Sequence, residues 1–297
     1  MLRLNILFVL IIIVSSQCFA QRQALVFQSD FGLKDGAVAA MKGVSFSVSD
    51  DLRIFDLTHE IPPFNIWEAA YRLNQSVAYW PAGTVFVSIV DPGVGSSRRS
   101  VVAKMRSGHF IVTPDNGTLT LVAETLGIDE LREIDESRNR LKNSEKSYTF
   151  HGRDVYAYTG ARLAAGVITF EQVGAKIDGG VVKLPYQKPV FESNMVRGNI
   201  PVLDIQYGNI WTNIDSNTFQ KLGVKTGDQV NVKIIHDNKT VYEGRMLFAN
   251  TFSEVPEGKV VGYMNSLLNF SIAINAGSFA ERYQIKSGPG WSIVIEK

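Results

Sequence analysis

Between residues 24 and 180, short apolar runs alternate with stretches whose apolar positions recur at helical spacing. Ala24-Leu25-Val26-Phe27, Arg53-Ile54-Phe55-Asp56-Leu57, Val85-Phe86-Val87-Ser88-Ile89-Val90 and Phe110-Ile111-Val112 have strand length and run into polar or turn residues. Residues 36–47, 66–79 and 157–165 carry the helical spacing. This βαβ rhythm predicts an α/β sandwich, a mostly parallel sheet with helices on both faces. From about residue 198 the rhythm changes. Val230-Asn231-Val232-Lys233-Ile234-Ile235, Thr240-Val241-Tyr242-Glu243-Gly244 and Trp291-Ser292-Ile293-Val294-Ile295 follow period two, with turns at Asp237-Asn238 and Gly288-Pro289-Gly290 between strands. The C-terminal part therefore predicts a smaller all-β barrel or sandwich. Residues 184–196 hold two prolines and little apolar periodicity. The expected organisation is an α/β domain over 22–188, a linker at 189–197 and a β-barrel domain over 198–297.

The first 20 residues predict a signal peptide. Arg3 supplies a positive start, residues 6–14 are nine consecutive apolar residues, and Cys18-Phe19-Ala20 ends in a small residue. Nine apolar residues are too few to cross a bilayer, so export to the periplasm or outside the cell is favoured over a membrane anchor. Gln17 before Cys18 fits a lipoprotein signal poorly.

Composition then narrows the classes. Of 297 residues, 45% are hydrophobic and 20% charged, as in a folded soluble protein. Thirty basic residues face 29 acidic ones, so no overall field draws in nucleic acid. One cysteine excludes a disulfide scaffold and a Cys-rich zinc site, and four histidines leave little for a His-based metal centre.

Ligands of open parallel sheets bind beyond the carboxyl ends of the strands. Three expected strands run there into Ser29-Asp30-Phe31-Gly32, Thr58-His59 and Asp91-Pro92-Gly93-Val94-Gly95. An aspartate in such a place can accept ribose hydroxyls or orient water. It can equally cap the turn that follows. Gly93-Val94-Gly95 lacks the third glycine of a dinucleotide fingerprint, and no phosphate-binding Walker loop occurs. His151 precedes a helical stretch, where the dipole disfavours its protonated form and suits a neutral ring that holds water. His109 and His236 sit in turn-like contexts and are expected at the surface. His59 is expected to be structural.

Seven segments occur in a fixed order: Ser29-Asp30-Phe31-Gly32, Asp56-Leu57-Thr58-His59-Glu60-Ile61, Val90-Asp91-Pro92-Gly93-Val94-Gly95, Pro114-Asp115-Asn116-Gly117, Phe150-His151-Gly152-Arg153-Asp154, Tyr207-Gly208-Asn209-Ile210-Trp211-Thr212-Asn213 and Asn265-Ser266. Together, across residues 24–295, they resemble the S-adenosylmethionine hydroxide adenosyltransferases, relatives of fluorinase and chlorinase. The resemblance implies an N-terminal α/β domain, a C-terminal β-barrel, and homotrimers that bind substrate between neighbouring subunits. It implies cleavage of S-adenosylmethionine by water into adenosine and methionine, with no metal and no other cofactor. A catalytic Asp-Arg-His set would fall on Asp91, Arg98 and His151. In the halogenases a Tyr stands for the Asp and Tyr-Ser for His-Gly, so Asp91 and His151-Gly152 resemble the hydrolase branch. Substrate contacts would fall on Asp30 (ribose), Phe64 (nucleoside), Asp204 and Ser266 (methionine end), and Asn209, Phe252 and Ala276 (adenine). Leu268 and Ser271 depart from a frequent Gly and Glu of the family.

Such a reaction is an in-line displacement at the ribose 5′ carbon. The sulfonium leaves without a proton, so the difficulty lies in the weak nucleophile. A carboxylate kept ionised by an adjacent arginine takes protons poorly, so the set is expected to orient and polarise water. A site with little solvent favours the union of an anionic nucleophile with a cationic sulfonium, because charge is lost. The alternative is an exported protein that binds nucleosides or adenosyl compounds without cleaving them.

Overall fold

The structure is a computed structural model and describes residues 24–297; the expected signal peptide lies outside the described residues. The N-terminal sheet contains β1 (Ala24–Ser29), β2 (Arg53–Thr58), β3 (Val85–Ile89), β4 (Ser100–Met105), β5 (Phe110–Pro114) and β6 (Ile128–Glu133). Their order is β2-β1-β3-β5-β4-β6. The strands β2, β1, β3 and β5 run parallel, and β4 is antiparallel to both of its neighbours. These four parallel strands are the four that the apolar runs predict.

Alternation along each strand separates two apolar layers. Leu25, Phe27, Val85, Val87 and Ile89 pack with α1 (Ala37–Val48) through Val38 and Met41. Val26, Phe86, Val101, Ala103 and Ile111 pack with α2 (Ile66–Val77) and α3 (Thr120–Thr125) through Leu73, Val77 and Val122. Two further helices, α4 (Glu136–Asn139) and α5 (Tyr158–Ala164), follow. A π-helical turn, Gly152–Ala157, leads into α5. The α5 helix lies against the first layer, and Gly160 permits this approach: a Cβ there would stand 2.4 Å from Val87 Cγ2. Helices thus cover both faces of the sheet.

The second sheet has nine strands: β7 (Val190–Glu192), β8 (Met195–Ile200), β9 (Val202–Asp204), β10 (Asn209–Asp215), β11 (Gln229–His236), β12 (Lys239–Phe248), β13 (Val260–Met264), β14 (Asn269–Ile274) and β15 (Gly288–Glu296). Their order is β7-β8-β15-β11-β12-β13-β14-β10-β9. Only β12 and β13 pair in parallel. The inner face is filled by Phe219, Phe248, Phe270, Phe279 and Trp291, among others. Phe219 comes from α6 (Ser216–Gln220) and Phe279 from α7 (Phe279–Tyr283). The ladder runs from β7 to β9, and no closing pair between these two strands is seen among the described residues. Each of these end strands is three residues long.

Residues 189–197, expected as a linker, hold β7 and the start of β8. Ser193 and Asn194 have φ of 51° and 58°, the pair of left-handed residues that turns a two-residue hairpin. The two sheets meet along α2. Trp67 Nε1 donates to Pro201 O (3.1 Å), Arg72 Nη2 to Leu203 O (2.9 Å), and Tyr71 packs with Val202 and Trp211.

Candidate active site

The parallel register places the ends of β1, β2 and β3 side by side, with Ser29 opposite Ile89 and Gln28 opposite Thr58. Asp30 and Asp91 therefore emerge at one edge of the sheet. With Phe31, Phe64, Val94, Phe150, His151 and others, they line a cavity of about 280 Å³.

Asp91 is held from behind. Arg98 Nε donates to Asp91 Oδ1 at 2.6 Å, and Arg98 Nη2 donates to Oδ2. The Gly93-Val94-Gly95 turn brings Arg98 back onto Asp91, and Gly95 takes φ of 77°. Arg98 Nη1 continues to Ser100 Oγ at 3.2 Å, which lies 3.0 Å from Tyr156 Oη. Tyr156 Oη in turn donates to Asp91 Oδ2 at 3.5 Å. Burial, and then the charge of Asp91, push the Tyr156 phenol above its ordinary range, so it stays a neutral donor. Asn116 braces the same strand end by donating Nδ2 to Val90 O at 2.8 Å.

Asp30 Oδ2 accepts the backbone N–H of Phe64 at 2.9 Å. Phe64 sits at φ 68° with 71% of its surface exposed, so an aromatic face is held out over the cavity by a backbone that L-residues rarely adopt. His151 is buried at the start of the π-helical turn, and the adjacent Gly152 packs under the Phe31 ring. Burial lowers the His151 pKa; Glu136 raises it, Arg140 and Arg98 lower it, and Asp91 raises it. The net direction is downward, toward a neutral ring near neutral pH.

The other histidines divide. His59 turns inward, 2.7 Å from Ser29 Oγ and 3.0 Å from Asp56 Oδ1. It fixes the strand end that carries Asp30. His109, expected at the surface, is buried. Its Nε2 lies 2.8 Å from Trp80 O and its Nδ1 2.9 Å from Ser107 Oγ, partners that a Ser-Gly-His turn does not reveal. His236 is partly exposed and stacks on Trp291.

Asp204, Asn209, Phe252, Ser266 and Ala276 line a different cavity, of about 930 Å³, in the C-terminal unit. Asn209 Nδ2 donates to Asp204 Oδ2 at 3.1 Å, and Phe252 packs edge-on against Tyr263. Burial pushes the Tyr263 hydroxyl up to about 12. Trp211 and Asn265 share this lining, and the buried Nδ2 of Asn265 has no partner among the described residues. Sequence reasoning passed over both as site residues, although each lies inside a quoted motif. Leu268 has φ of 58°, which accounts for a glycine being frequent there. Ser271 is buried and donates to Asn269 O at 3.2 Å.

The structure thus brings Asp30, Phe64, Asp91 and His151 together, with Arg98 behind Asp91. It gathers the other five residues elsewhere, and within one chain the two linings share no residue. Among the described residues, no three His, Cys, Asp or Glu side chains gather as a metal site requires.

Comparisons with known proteins bear on both halves. A family model for the SAM hydroxide adenosyltransferase N-terminal domain matches residues 25–174, and one for the C-terminal domain of that family matches residues 198–292. An (R)-S-adenosyl-L-methionine hydrolase of Methanocaldococcus jannaschii is 39% identical over 220 residues, covering 72% of this chain and 74% of that protein. One from Thermus thermophilus is 33% identical over 88% of this chain and 96% of its own. A fluorinase of Actinopolyspora mzabensis is 31% identical over 90% and 95%. A crystal structure of an uncharacterized conserved protein from Thermotoga maritima superposes with a TM-score of 0.85 at 35% identity, covering 92% of this chain and all of that one.

Proposed function

The chain belongs to the S-adenosylmethionine hydroxide adenosyltransferase family, and from that premise we propose how it hydrolyses S-adenosyl-L-methionine to adenosine and L-methionine. One observation carries the reading: Asp91, backed by Arg98, shares a small cavity with His151, Asp30 and Phe64. Asp30 faces the ribose hydroxyls and Phe64 covers the nucleoside. Asp91 and His151 hold one water in line with the 5′ carbon. As the C5′–O bond forms, the C5′–S bond breaks and its electron pair goes to sulfur, leaving a neutral thioether. The attacking water becomes acidic as it bonds to carbon, so its proton passes to Asp91 late and then to solvent. A carboxylate already clamped by Arg98 suffices for that late transfer. Phe31, Phe64, Val94 and Phe150 keep the surroundings apolar, and the charge carried from sulfur to oxygen is neutralised when the proton reaches Asp91. Oriented attack contributes on the order of 7–11 kcal/mol in the best cases.

The separate linings support a second element of the proposal, a homotrimer. The N-terminal cavity of one protomer faces the C-terminal cavity of the next, and substrate lies between them, its methionine end on Asp204 and Ser266 and its adenine on Asn209, Phe252 and Ala276. The barrel reading of the C-terminal unit draws support from Asn199 N–H, which donates to Asn213 Oδ1 at 2.8 Å between β8 and β10. Export rests on the pattern of residues 1–20, and fractionation of cells that express the full chain tests it.

The deciding experiment incubates purified protein with S-adenosylmethionine in heavy-oxygen water. Label in the 5′ hydroxyl of adenosine is the expected result. Intact substrate retained at stoichiometric amounts would establish the binding protein instead.

A further inference from the structure

The His151 ring has two nitrogens with different surroundings. Nε2 lies 3.5 Å from Arg140 Nη1, while Nδ1 is buried with no partner among the described residues. Arg140 is itself almost fully enclosed and firmly held. Its Nη1 donates to Glu136 Oε2 at 2.6 Å, Nε to Ser144 Oγ at 3.1 Å and Nη2 to Ser147 O at 2.8 Å. Its guanidinium also stacks over the Tyr148 ring, with Cζ 4.6 Å from the centroid. A guanidinium has donors only. The nitrogen it faces must therefore present a lone pair, and a neutral imidazole that presents Nε2 as a lone pair carries its proton on Nδ1.

We propose that Arg140 is a positioning residue that holds His151 as the Nδ1–H tautomer, so that His151 donates a hydrogen bond to the attacking water and does not take its proton. This rests on the proposed role of His151 in water attack. With Nε2 occupied, Nδ1–H is the only polar atom that the ring can offer a ligand. A water oxygen has two lone pairs and two hydrogens. If His151 donates to one lone pair and Asp91 accepts one hydrogen, the second lone pair is directed by tetrahedral geometry and is free for the 5′ carbon. The proton then has one destination, Asp91. If both groups accepted hydrogens, neither lone pair would be fixed. The charged groups that act on the ring are Glu136, Arg140, Arg98 and Asp91. Protonation would set an Nε2–H against the Arg140 guanidinium, which disfavours the cation as burial does.

The chain has four histidines, so long-range proton–nitrogen correlation spectra of histidine-labelled protein resolve each ring. At neutral pH, His151 is expected to show a protonated Nδ1 and an unprotonated Nε2. Arg140→Met is expected to shift the ring toward Nε2–H and to lower kcat about tenfold with little change in KM. Loss of the nearby positive charge raises the His151 pKa, so the acid limb of kcat/KM moves to higher pH. Arg140→Lys, which keeps a donor and a charge, should recover part of both effects. A His151 that is already Nε2–H in the unaltered protein overturns the proposal, and that spectrum needs no variant to fold. An unchanged tautomer and an unchanged pH limb in folded Arg140→Met overturn it as well. Absence of any turnover in the unaltered protein would count against the hydrolase reading and leave the tautomer result intact.

Discussion

The two cavities differ in how their charged groups are held. In the N-terminal cavity the charges are already committed within the protein: Arg98 clamps both oxygens of Asp91, and Tyr156 and Ser100 extend the network. In the C-terminal cavity, more than three times the volume, Asn265 Nδ2 is buried with no partner among the described residues. Buried donors are rarely left unpaired, and each costs about 1–3 kcal/mol when it is. The first arrangement is rigid before substrate arrives, as orientation of a water demands. The second leaves the Asn265 donor open to a ligand. The proposed water site and the proposed methionine and adenine contacts thus fall in different units of the fold.

Substitution can break this division of labour. The largest effect is expected at Asp91. Asp91→Asn removes the acceptor that orients the water and should lower the single-turnover rate about 10³-fold, while the dissociation constant measured by calorimetry changes less than about threefold. The change also strands the mostly enclosed Arg98, at a cost of about 3 kcal/mol. Rates are therefore compared where circular dichroism shows both proteins folded. Equal losses in rate and affinity would mean that Asp91 binds substrate rather than water.

The opposite signature is expected across the fold. Asp204→Ala should raise KM about 10–100-fold and leave kcat within a few-fold, because the carboxylate meets a part of the substrate that does not react. A fall in kcat with constant KM would erase the contrast. Mixing the two variants tests whether the cavities cooperate between protomers. At limiting substrate each variant alone keeps about a tenth of wild-type activity or less. In a randomly mixed ring, a site is intact when its N-terminal half comes from Asp204→Ala and its C-terminal half from Asp91→Asn. About a quarter of wild-type activity should then return. No recovery after co-expression would place both halves of the site in one chain.

The two regions also differed in how much of them could be read in advance. The parallel strands announce themselves as apolar runs ending in polar residues, and their register alone delivers Asp30 and Asp91 to one edge. The strands β4 and β6 escaped. In β6, Ile128 and Leu131 stand three apart among acidic residues, a spacing that suits a helix, and charges are tolerated because the strand is at the sheet edge. The hairpin at Ser193 and Asn194 was hidden by neighbouring prolines. Asp91, Arg98 and His151 were identified through motif resemblance, whereas Arg140 has no motif to mark it. Its approach to His151 depends on how the segment after α4 folds against the π-helical turn. Residues chosen for what they touch in three dimensions leave no local period.

The smallest expected effect concerns a turn that adjoins the C-terminal lining. Leu268 occupies a left-handed conformation, φ 58°, with 62% of its surface exposed. The conformation costs a non-glycine residue about 1–2 kcal/mol, and an exposed side chain regains little of it by burial. Leu268 N–H donates to Asn265 O at 2.9 Å, and its carbonyl accepts Ser216 N–H at 2.9 Å, so the backbone is pinned where it is strained. Leu268→Gly removes the strain but adds freedom to the unfolded chain, worth roughly 0.5–1 kcal/mol against it. The net expectation is a gain of at most about 1 kcal/mol in stability by denaturant unfolding, with kcat unchanged. A loss of stability would show that the leucine side chain is covered in the assembled protein. Seen only in an oligomer and not in dissociated chains, that loss would place Leu268 at the proposed contact between protomers.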